Sequence, residues 1–405
     1  MKRITFIHAA DLHLDSPMIG LKELPSFIRK RVQESTFVAL KKVVEAAILH
    51  KVDFVIIAGD LYDEEDRSIR AQTRFRQEMT RLAKENISVF LVHGNHDYLT
   101  GDWVHLSMPD NVYIFQGHVE KKNFANHHTS VHLYGFSYDQ RHVIERKIDQ
   151  YQKVDGADFH IGILHGYFEG GSEHGRYAPF QLSDLVEKKF DYWALGHIHK
   201  RSILSKEPPI IYPGNIQGRH KKEEGIKGCY LVTIDEVTTH LQFIETSDIV
   251  WRKLELDVEQ VTSFNELYSF CKKAIEKERS NKQGILMSLI LKNVKLEGHD
   301  LKAIVTGELM ETLQDEEKEE DLFVWIFEIA IQESFIWTKE TLIEKSDFYS
   351  ELFNVIDEYD GFDQSLAPLL EHHQASRFIE TVSEEEKKER LTDAQKLLIQ
   401  LLNEH

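Results

Sequence analysis

The chain predicts a mixed α/β fold, followed by a small α/β unit and an acidic helical C-terminal region. Three observations carry that prediction. Five short apolar runs rich in Ile, Val, Phe and Tyr each end in a cluster of Asp, Asn, Gly or His. Helical apolar spacing separates the early runs. The pattern then changes after Trp251 and again beyond about Leu301.

The five runs are Arg3 to Ala9, Phe54 to Ala58, Val89 to Val92, Phe159 to Leu164 and Tyr192 to Leu195. Their unbroken hydrophobicity is that of strands buried on both faces. Between the first two, Phe27 to His50 sets Val32, Phe37, Leu40, Val43, Val44, Ala47 and Ile48 at helical spacing. Ile69 to Glu85 reads as a second helix, with Arg67, Arg70, Arg74, Arg76 and Arg81 in or beside it. Val112 to Phe115, Val131 to Phe136, Ile210 to Tyr212, Cys229 to Ile234 and Leu241 to Ile244 read as further strands, antiparallel and hairpin-linked. Residues 1–250 thus form the main α/β domain. Residues 251–300 read as strand (Arg252 to Val258), helix (Phe264 to Lys277) and strand (Ile285 to Leu291), with no metal-ligating residues at their ends. Residues 301–405 read as helices split by acidic segments, notably Asp315 to Asp321. In the last helix Ser383 and Glu386 fit a capping box, and Leu391, Leu397, Leu398, Leu401 and Leu402 form one apolar stripe.

Charge is unevenly placed. Residues 301–405 hold 9 of the 49 Lys+Arg and 26 of the 68 Asp+Glu, a net of -17 out of -19. Such a region repels nucleic-acid phosphates and is not a DNA-binding surface; it suits docking of a basic partner, or simple solubility. The two cysteines, Cys229 and Cys271, are isolated, so neither a disulfide framework nor a cysteine zinc site is expected, and a reducing cytoplasm is the default compartment. No export signal is expected, because Asp11, His13 and Asp15 interrupt the apolar start. Leu322 to Ile331 is about half the roughly 20 residues of a membrane span and contains Glu328.

The clusters after the five runs are Asp11-Leu12-His13, Gly59-Asp60, Gly94-Asn95-His96-Asp97, His165-Gly166 and Gly196-His197-Ile198-His199. Residues just beyond strand ends form the ligand rim of sheets of this kind, so the five clusters converge. Phosphodiester hydrolysis near neutral pH needs a nucleophile and neutralisation of phosphoryl charge, which two metal ions roughly 3.5–4 Å apart supply. Asp60 is the natural bridging carboxylate. Asp11 and His13, two apart where a strand turns into a loop, both reach one ion. Asn95 offers an amide oxygen that adds no charge, and His165, His197 and His199 offer imidazole nitrogens.

This set resembles the calcineurin-like metallophosphoesterase superfamily, whose signature is D-x-H, G-D, G-N-H-D or G-N-H-E, H, and G-H-x-H. Within it the chain is similar to SbcD-type DNA repair nucleases and to the YhaO group, through Ile7 to Asp15, Ala58-Gly59-Asp60-Leu61-Tyr62-Asp63, Gly94 to Asp97, Gly196 to His199 and Tyr212-Pro213-Gly214-Asn215. The resemblance implies a four-layer α/β/β/α sandwich over residues 1–250 and a capping domain over 251–300, and it thins over 301–405, whose acidic charge suits partner docking. It implies that Asp11, His13, Asp60 and His199 bind one metal, that Asp60, Asn95, His165 and His197 bind the other, and that His96 is the catalytic histidine. Manganese is the metal such nucleases typically use, while mixed carboxylate and imidazole donors would equally admit iron or zinc. One departure is Asp63, where some relatives carry a histidine.

Basic residues that could hold a polyphosphate strand follow the clusters: Lys200 and Arg201, then Arg219, His220, Lys221 and Lys222, with the arginines of the second helix as a further patch. The loop Glu169 to Tyr177, with Gly170, Gly171 and Gly175, follows His165 near the substrate. The function implied is a two-metal DNA exonuclease of DNA repair, with endonucleolytic cutting left open, acting with an SbcC-like coiled-coil ATPase; a homodimer is left open. The alternatives are a phosphodiesterase or phosphatase acting on nucleotides or phosphoproteins, and a scaffold without catalysis, against which every ligand position is filled.

Overall fold

The structure is a computed structural model in which residues 2–21, 23–63, 68–100, 104, 106–168, 177–279, 282–318, 320, 322–332, 342–343, 346–357, 359, 361–370 and 384–403 are described. One sheet takes β1 (Arg3–Ala9), β2 (Phe54–Ala58), β3 (Ser88–Val92), β4 (Val112–Ile114), β11 (Gly228–Asp235) and β12 (Thr239–Glu245), in the order β12-β11-β1-β2-β3-β4. A second takes β5 (Glu120–Ala125), β6 (Ser130–Gly135), β7 (Phe159–His165), β8 (Tyr192–Gly196), β9 (Ser202–Lys206) and β10 (Pro209–Tyr212), in the order β5-β6-β7-β8-β10-β9.

Strand alternation builds the layers. Ile7, Val55, Ile57, Val89 and Leu91 face Phe37, Leu40 and Val43 of α1 (Ser26–Leu49) and Phe75, Met79 and Leu82 of α2 (Ile69–Lys84). Their neighbours Phe6, Phe54, Ile56 and Phe90 point the other way and meet Val131, Leu133, Ile161, Ile163 and Tyr192 between the two sheets. On the far face of the second sheet, Tyr134, Leu164 and Trp193 pack with Phe190 and with Leu185 of the short helix α3 (Leu182–Glu187). The expected four layers, α/β/β/α, are present.

Three strands read as antiparallel have parallel neighbours. β4 pairs parallel with β3, and β6, antiparallel to β5, pairs parallel with β7, so the central run β6-β7-β8-β10 is parallel. Expected hairpins are nonetheless present: β11 with β12, which joins the sheet through β1, and also β5 with β6 and β9 with β10. The parallel runs aim the carboxyl ends of β1, β2, β3, β7 and β8 toward one rim.

The small unit also differs from expectation. β13 (Ile249–Asp257), β14 (Gly284–Lys292) and β15 (Val324–Gln332) form a parallel sheet, where a run of helices was expected beyond residue 301. The boundary expected at residue 300 falls inside this unit. α4 (Phe264–Glu278), α5 (Gly298–Val305) and α6 (Glu308–Asp315) cover one face, burying Leu267, Cys271, Ile304, Leu309 and Leu313 against Ile285, Met287, Val324 and Ile326. Glu328, which marked the run as interrupted, lies on the opposite face, where it accepts from Ser288 Oγ (2.9 Å) and pairs with Lys221 (2.9 Å). On that face Trp251, Leu286, Phe323 and Trp325 pack with Leu24, Ile28 and Val32, fixing the small sheet to α1.

A second compact unit starts after Gln332. Its described helices are α7 (Asp347–Asp357), α8 (Phe362–Leu370) and α9 (Glu384–Asn403), and Leu342, Phe353 and Ile399 form its small apolar cluster. Among the described side chains of α9, Ile399 is buried, whereas Leu398 and Leu402 of the expected stripe are exposed. Ser383 and the side chains of Glu386, Leu397 and Leu401 lie outside the described residues. No helix among the described residues is long and apolar enough to cross a membrane.

Candidate metal centre

Every cluster sits where a buried strand ends. Asp11 and His13 follow β1, Asp60 follows β2, Asn95 and His96 follow β3, His165 closes β7, and His197 and His199 follow β8. The chain turns sharply there, and four non-glycine residues adopt left-handed backbone: Asp11 (φ 51), His13 (φ 42), Asp60 (φ 49) and His197 (φ 104). Each such conformation costs about 1–3 kcal/mol, and its concentration at one rim marks a functional site. The glycines permit the crowding. A Cβ at Gly94 would lie 2.2 Å from Asp60 Oδ1, and one at Gly196 would lie 1.7 Å from the Ala58 carbonyl oxygen.

The donor atoms form two groups, Asp11, His13 and His199, and Asp60, His165 and His197, each with its atoms within 4.8 Å of one another. In the first, His13 Nε2 and His199 Nε2 are 3.1 Å apart. In the second, Asn95 Oδ1 lies 3.1 Å from His165 Nε2 and 3.2 Å from His197 Nδ1. Asp60 joins them: its Oδ2 is 3.3 Å from His165 Nε2 and 3.8 Å from His13 Nε2, while its Oδ1 accepts from the His96 amide (3.0 Å). All seven residues expected as ligands are thus brought together at one rim.

Ring tautomers show what these groups fit. His13 Nδ1 donates to Asp63 Oδ1 (2.6 Å), His199 Nδ1 to Glu223 Oε1 (2.5 Å) and His165 Nδ1 to the Ala58 carbonyl (3.0 Å). The Nδ1 proton is therefore held on the outer side in all three, which turns the Nε2 atoms of His13 and His199 toward each other and that of His165 toward Asp60. Two imidazole lone pairs at 3.1 Å fit a shared cation. Donors each about 2.1 Å from one ion and roughly at right angles stand about 3 Å apart, the spacing seen in both groups.

Charge is tuned to match. Burial pushes the Asp11 carboxyl up to about 6, against His199 and His165. Burial lowers His13 to about 4, with Arg219 assisting, and lowers His197 to about 3, with His165 assisting. Burial also opposes charge on His165, but Asp60 and Asp11 overcome it and carry its pKa up to about 9. Asp60 is held well below the usual carboxylate range by His165 and His96, despite its own burial.

The residues that orient the ligands were only partly legible. Asp63, noted as a departure from relatives, accepts from both His13 and Arg219 Nη1 (2.6 Å) and lies 3.6 Å from His96 Nδ1. Glu223 went unnoticed, because it stands in a charged run that carries no motif. Asp97, the last residue of Gly94-Asn95-His96-Asp97, is structural: it accepts from Gly94 N (2.7 Å) and Leu61 N (3.0 Å) and pairs with His93 (2.9 Å), tying two ligand loops together. His96 is one-third exposed, with its ring 5.3 Å from that of His13.

Among the basic residues, Lys200, Arg201, Lys221 and Lys222 are exposed, Lys221 paired with Glu328 and Arg201 set over the Phe243 ring at 4.0 Å. Arg219 and His220 turn instead toward Asp63 and Glu223. The patch beside α2 is largely neutralised: Arg70 pairs with Asp15 and Glu34, Arg74 with Glu34, and Arg81 with Glu78. Arg67 and all of the Glu169 to Tyr177 loop but Tyr177 lie outside the described residues, and the Tyr177 ring packs 4.8 Å from that of His197.

Comparison with known proteins agrees with this geometry. Residues 4–201 match the family model described as calcineurin-like phosphoesterase. The metallophosphoesterase YhaO of Bacillus subtilis is 39% identical over 399 residues, covering 98% of this chain and 97% of that protein. The DNA double-strand break repair protein Mre11 of Methanocaldococcus jannaschii is 28% identical, covering 64% of this chain and 71% of its own length. Mre11 of Methanococcus maripaludis is 24% identical over 82% of this chain and 89% of its own length.

Proposed function

The chain belongs to the calcineurin-like phosphoesterase family, a family of metal-dependent hydrolases, and from that premise we propose that it is a two-metal DNA nuclease of DNA repair, manganese-dependent and cytoplasmic. The observation that carries the reading is the position of Asp60 Oδ2, 3.3 Å from one donor set and 3.8 Å from the other. Asp11, His13, Asp60 and His199 would hold one ion, and Asp60, Asn95, His165 and His197 the other. Such a pair, when bound, supplies a nucleophile at neutral pH and neutralises charge on the phosphoryl oxygens.

The chain's own residues do the rest. His96, partly exposed beside the bridging carboxylate, contacts a phosphate oxygen or delivers a proton to the leaving oxygen. Asp63 lies 3.6 Å from its Nδ1 and restrains the ring. Lys200, Arg201 and Lys222, exposed on the loops that leave the ligand clusters, hold the phosphates of the flanking strand. The Mre11 relatives support DNA as the substrate. Residues 301–405, with a net charge of -17 from 9 Lys+Arg and 26 Asp+Glu, would dock a basic surface of an SbcC-like ATPase.

The test is cleavage of end-labelled duplex and single-stranded DNA with manganese, with and without that ATPase, beside a small phosphodiester reporter. Metal-dependent cleavage of DNA is expected. Hydrolysis of the reporter with both DNAs intact would favour a small-substrate phosphodiesterase, and no metal-dependent hydrolysis of any of them would leave a scaffold.

A further inference from the structure

We propose that Glu223 is the positioning residue of the first donor set, fixing the His199 ring so that its bare Nε2 faces Asp11 and His13. The inference rests on the two-metal reading of the centre and extends it to a residue outside every metallophosphoesterase signature in the chain.

A closed ring of contacts stands behind that donor set. His13 Nδ1 donates to Asp63 Oδ1 (2.6 Å), and Asp63 Oδ2 accepts from Arg219 Nη1 (2.6 Å). The Arg219 amide donates to Glu223 Oε2 (2.7 Å), and Glu223 Oε1 accepts from His199 Nδ1 (2.5 Å). The two Nε2 atoms, 3.1 Å apart, close the ring on the ion side. Glu223 is 6% exposed and is held from behind by Asn215 Nδ2 (2.8 Å), so its carboxylate is rigid where it meets His199. A carboxylate only accepts, so it keeps the proton on Nδ1 and the lone pair on Nε2.

The second donor set is oriented differently. His165 Nδ1 donates to the Ala58 carbonyl (3.0 Å), a backbone group of β2. Glu223 contacts none of Asp60, Asn95, His165 and His197 in any described hydrogen bond or ion pair, so its influence is confined to one of the two ions.

The segment that carries Glu223 is also bolted to the small sheet. Gln217 Nε2 donates to the Ile249 carbonyl (2.6 Å), Trp251 Nε1 to the Gly218 carbonyl (3.1 Å), and the Gly225 amide to the Trp251 carbonyl (2.9 Å). His199 is therefore aimed by a carboxylate whose position is set by strand β13.

Glu223→Gln tests the assignment without changing shape. Asn215 Nδ2 and the Arg219 amide both donate to Oε2, which keeps the glutamine oxygen there and turns its NH2 to the side of His199 and of His220, whose Nε2 is 3.3 Å from Oε1. That NH2 donates to Nδ1, which moves the imidazole proton to Nε2, the atom that must ligate. Manganese titration of the full-length, metal-stripped protein, with free ion followed by its magnetic resonance signal, is expected to show two sites in the natural chain. In Glu223→Gln one site weakens roughly 10–100-fold, the scale for loss of an outer partner, while the other is unchanged. The weakened site is the one that Asp11→Asn also weakens, and the melting temperature of the metal-stripped variant stays at the natural value.

Unchanged affinity at both sites, or equal weakening of both, would overturn the proposal. If Glu223→Gln does not fold, Glu223→Asp keeps the charge and shortens the reach: selective loss at the same site supports the assignment and equal loss at both overturns it. A natural chain that fails to take up two ions would defeat the two-metal reading instead, a separate outcome.

Discussion

Metal uptake should depend on pH at one donor set and hardly at the other. His165 carries the difference. Burial opposes its charge, yet Asp60 and Asp11 raise its pKa from 6.5 to about 9. An imidazole must be neutral to ligate, so each pH unit below about 9 weakens the second set roughly tenfold, and at pH 7 the handicap is roughly 100-fold. The sign follows from linkage: a pKa raised on folding stabilises the ion-free chain fully below pH 6.5, and that contribution is lost as pH rises through about 9. Protons and metal thus compete for the same pair. The first set behaves otherwise, because His13 at about 4 is already neutral and Asp11 at about 6 is ionised above that pH. Manganese titrations at pH 6.5, 7.5 and 8.5 should therefore show one site tightening by about tenfold per unit and the other nearly constant. Calorimetry in two buffers of different ionisation heat should find about one proton released per pair of ions bound at pH 7.5. Affinities flat across this range, with no proton released, would refute the reasoning.

Asp60→Ala should remove both ions and all hydrolysis, since one carboxylate serves both sets; two ions per chain by metal analysis would show that it does not bridge. His96→Ala should keep both ions and lose roughly 10²-fold or more in rate, the scale of a general acid or a transition-state contact. Loss of metal from that variant would make His96 a ligand. Ending the chain after Gln332 should leave metal-dependent cleavage of a small phosphodiester intact and abolish capture of the ATPase, whereas ending it near Gly298 removes β15 from its sheet. The second truncation should lower the melting temperature because Val324 and Ile326 leave the small core, and equal stability of the two would contradict the register described.

The candidate metal centre was legible because its residues are local in sequence: each cluster follows a strand whose burial on both faces leaves an unbroken apolar run. The strand ends alone place Asp60, Asn95 and the histidines at one rim. What could not be read depends on contacts between distant segments. The parallel pairing of β4 and β6 is set by neighbours that periodicity does not reveal. β15 was hidden because the acidic segments around it read as helical, and Glu328 within it is satisfied only across the sheet, by Ser288 and Lys221. Glu223 meets His199 from 24 residues away, across a turn that only the fold closes.

Anomalous diffraction from a manganese-soaked crystal of the full chain tests the central claim most directly. The account predicts two peaks roughly 3.5–4 Å apart, one among Asp11, His13 and His199 and the other among Asn95, His165 and His197, with Asp60 Oδ2 between them. A single peak, or two that do not share Asp60, would contradict it.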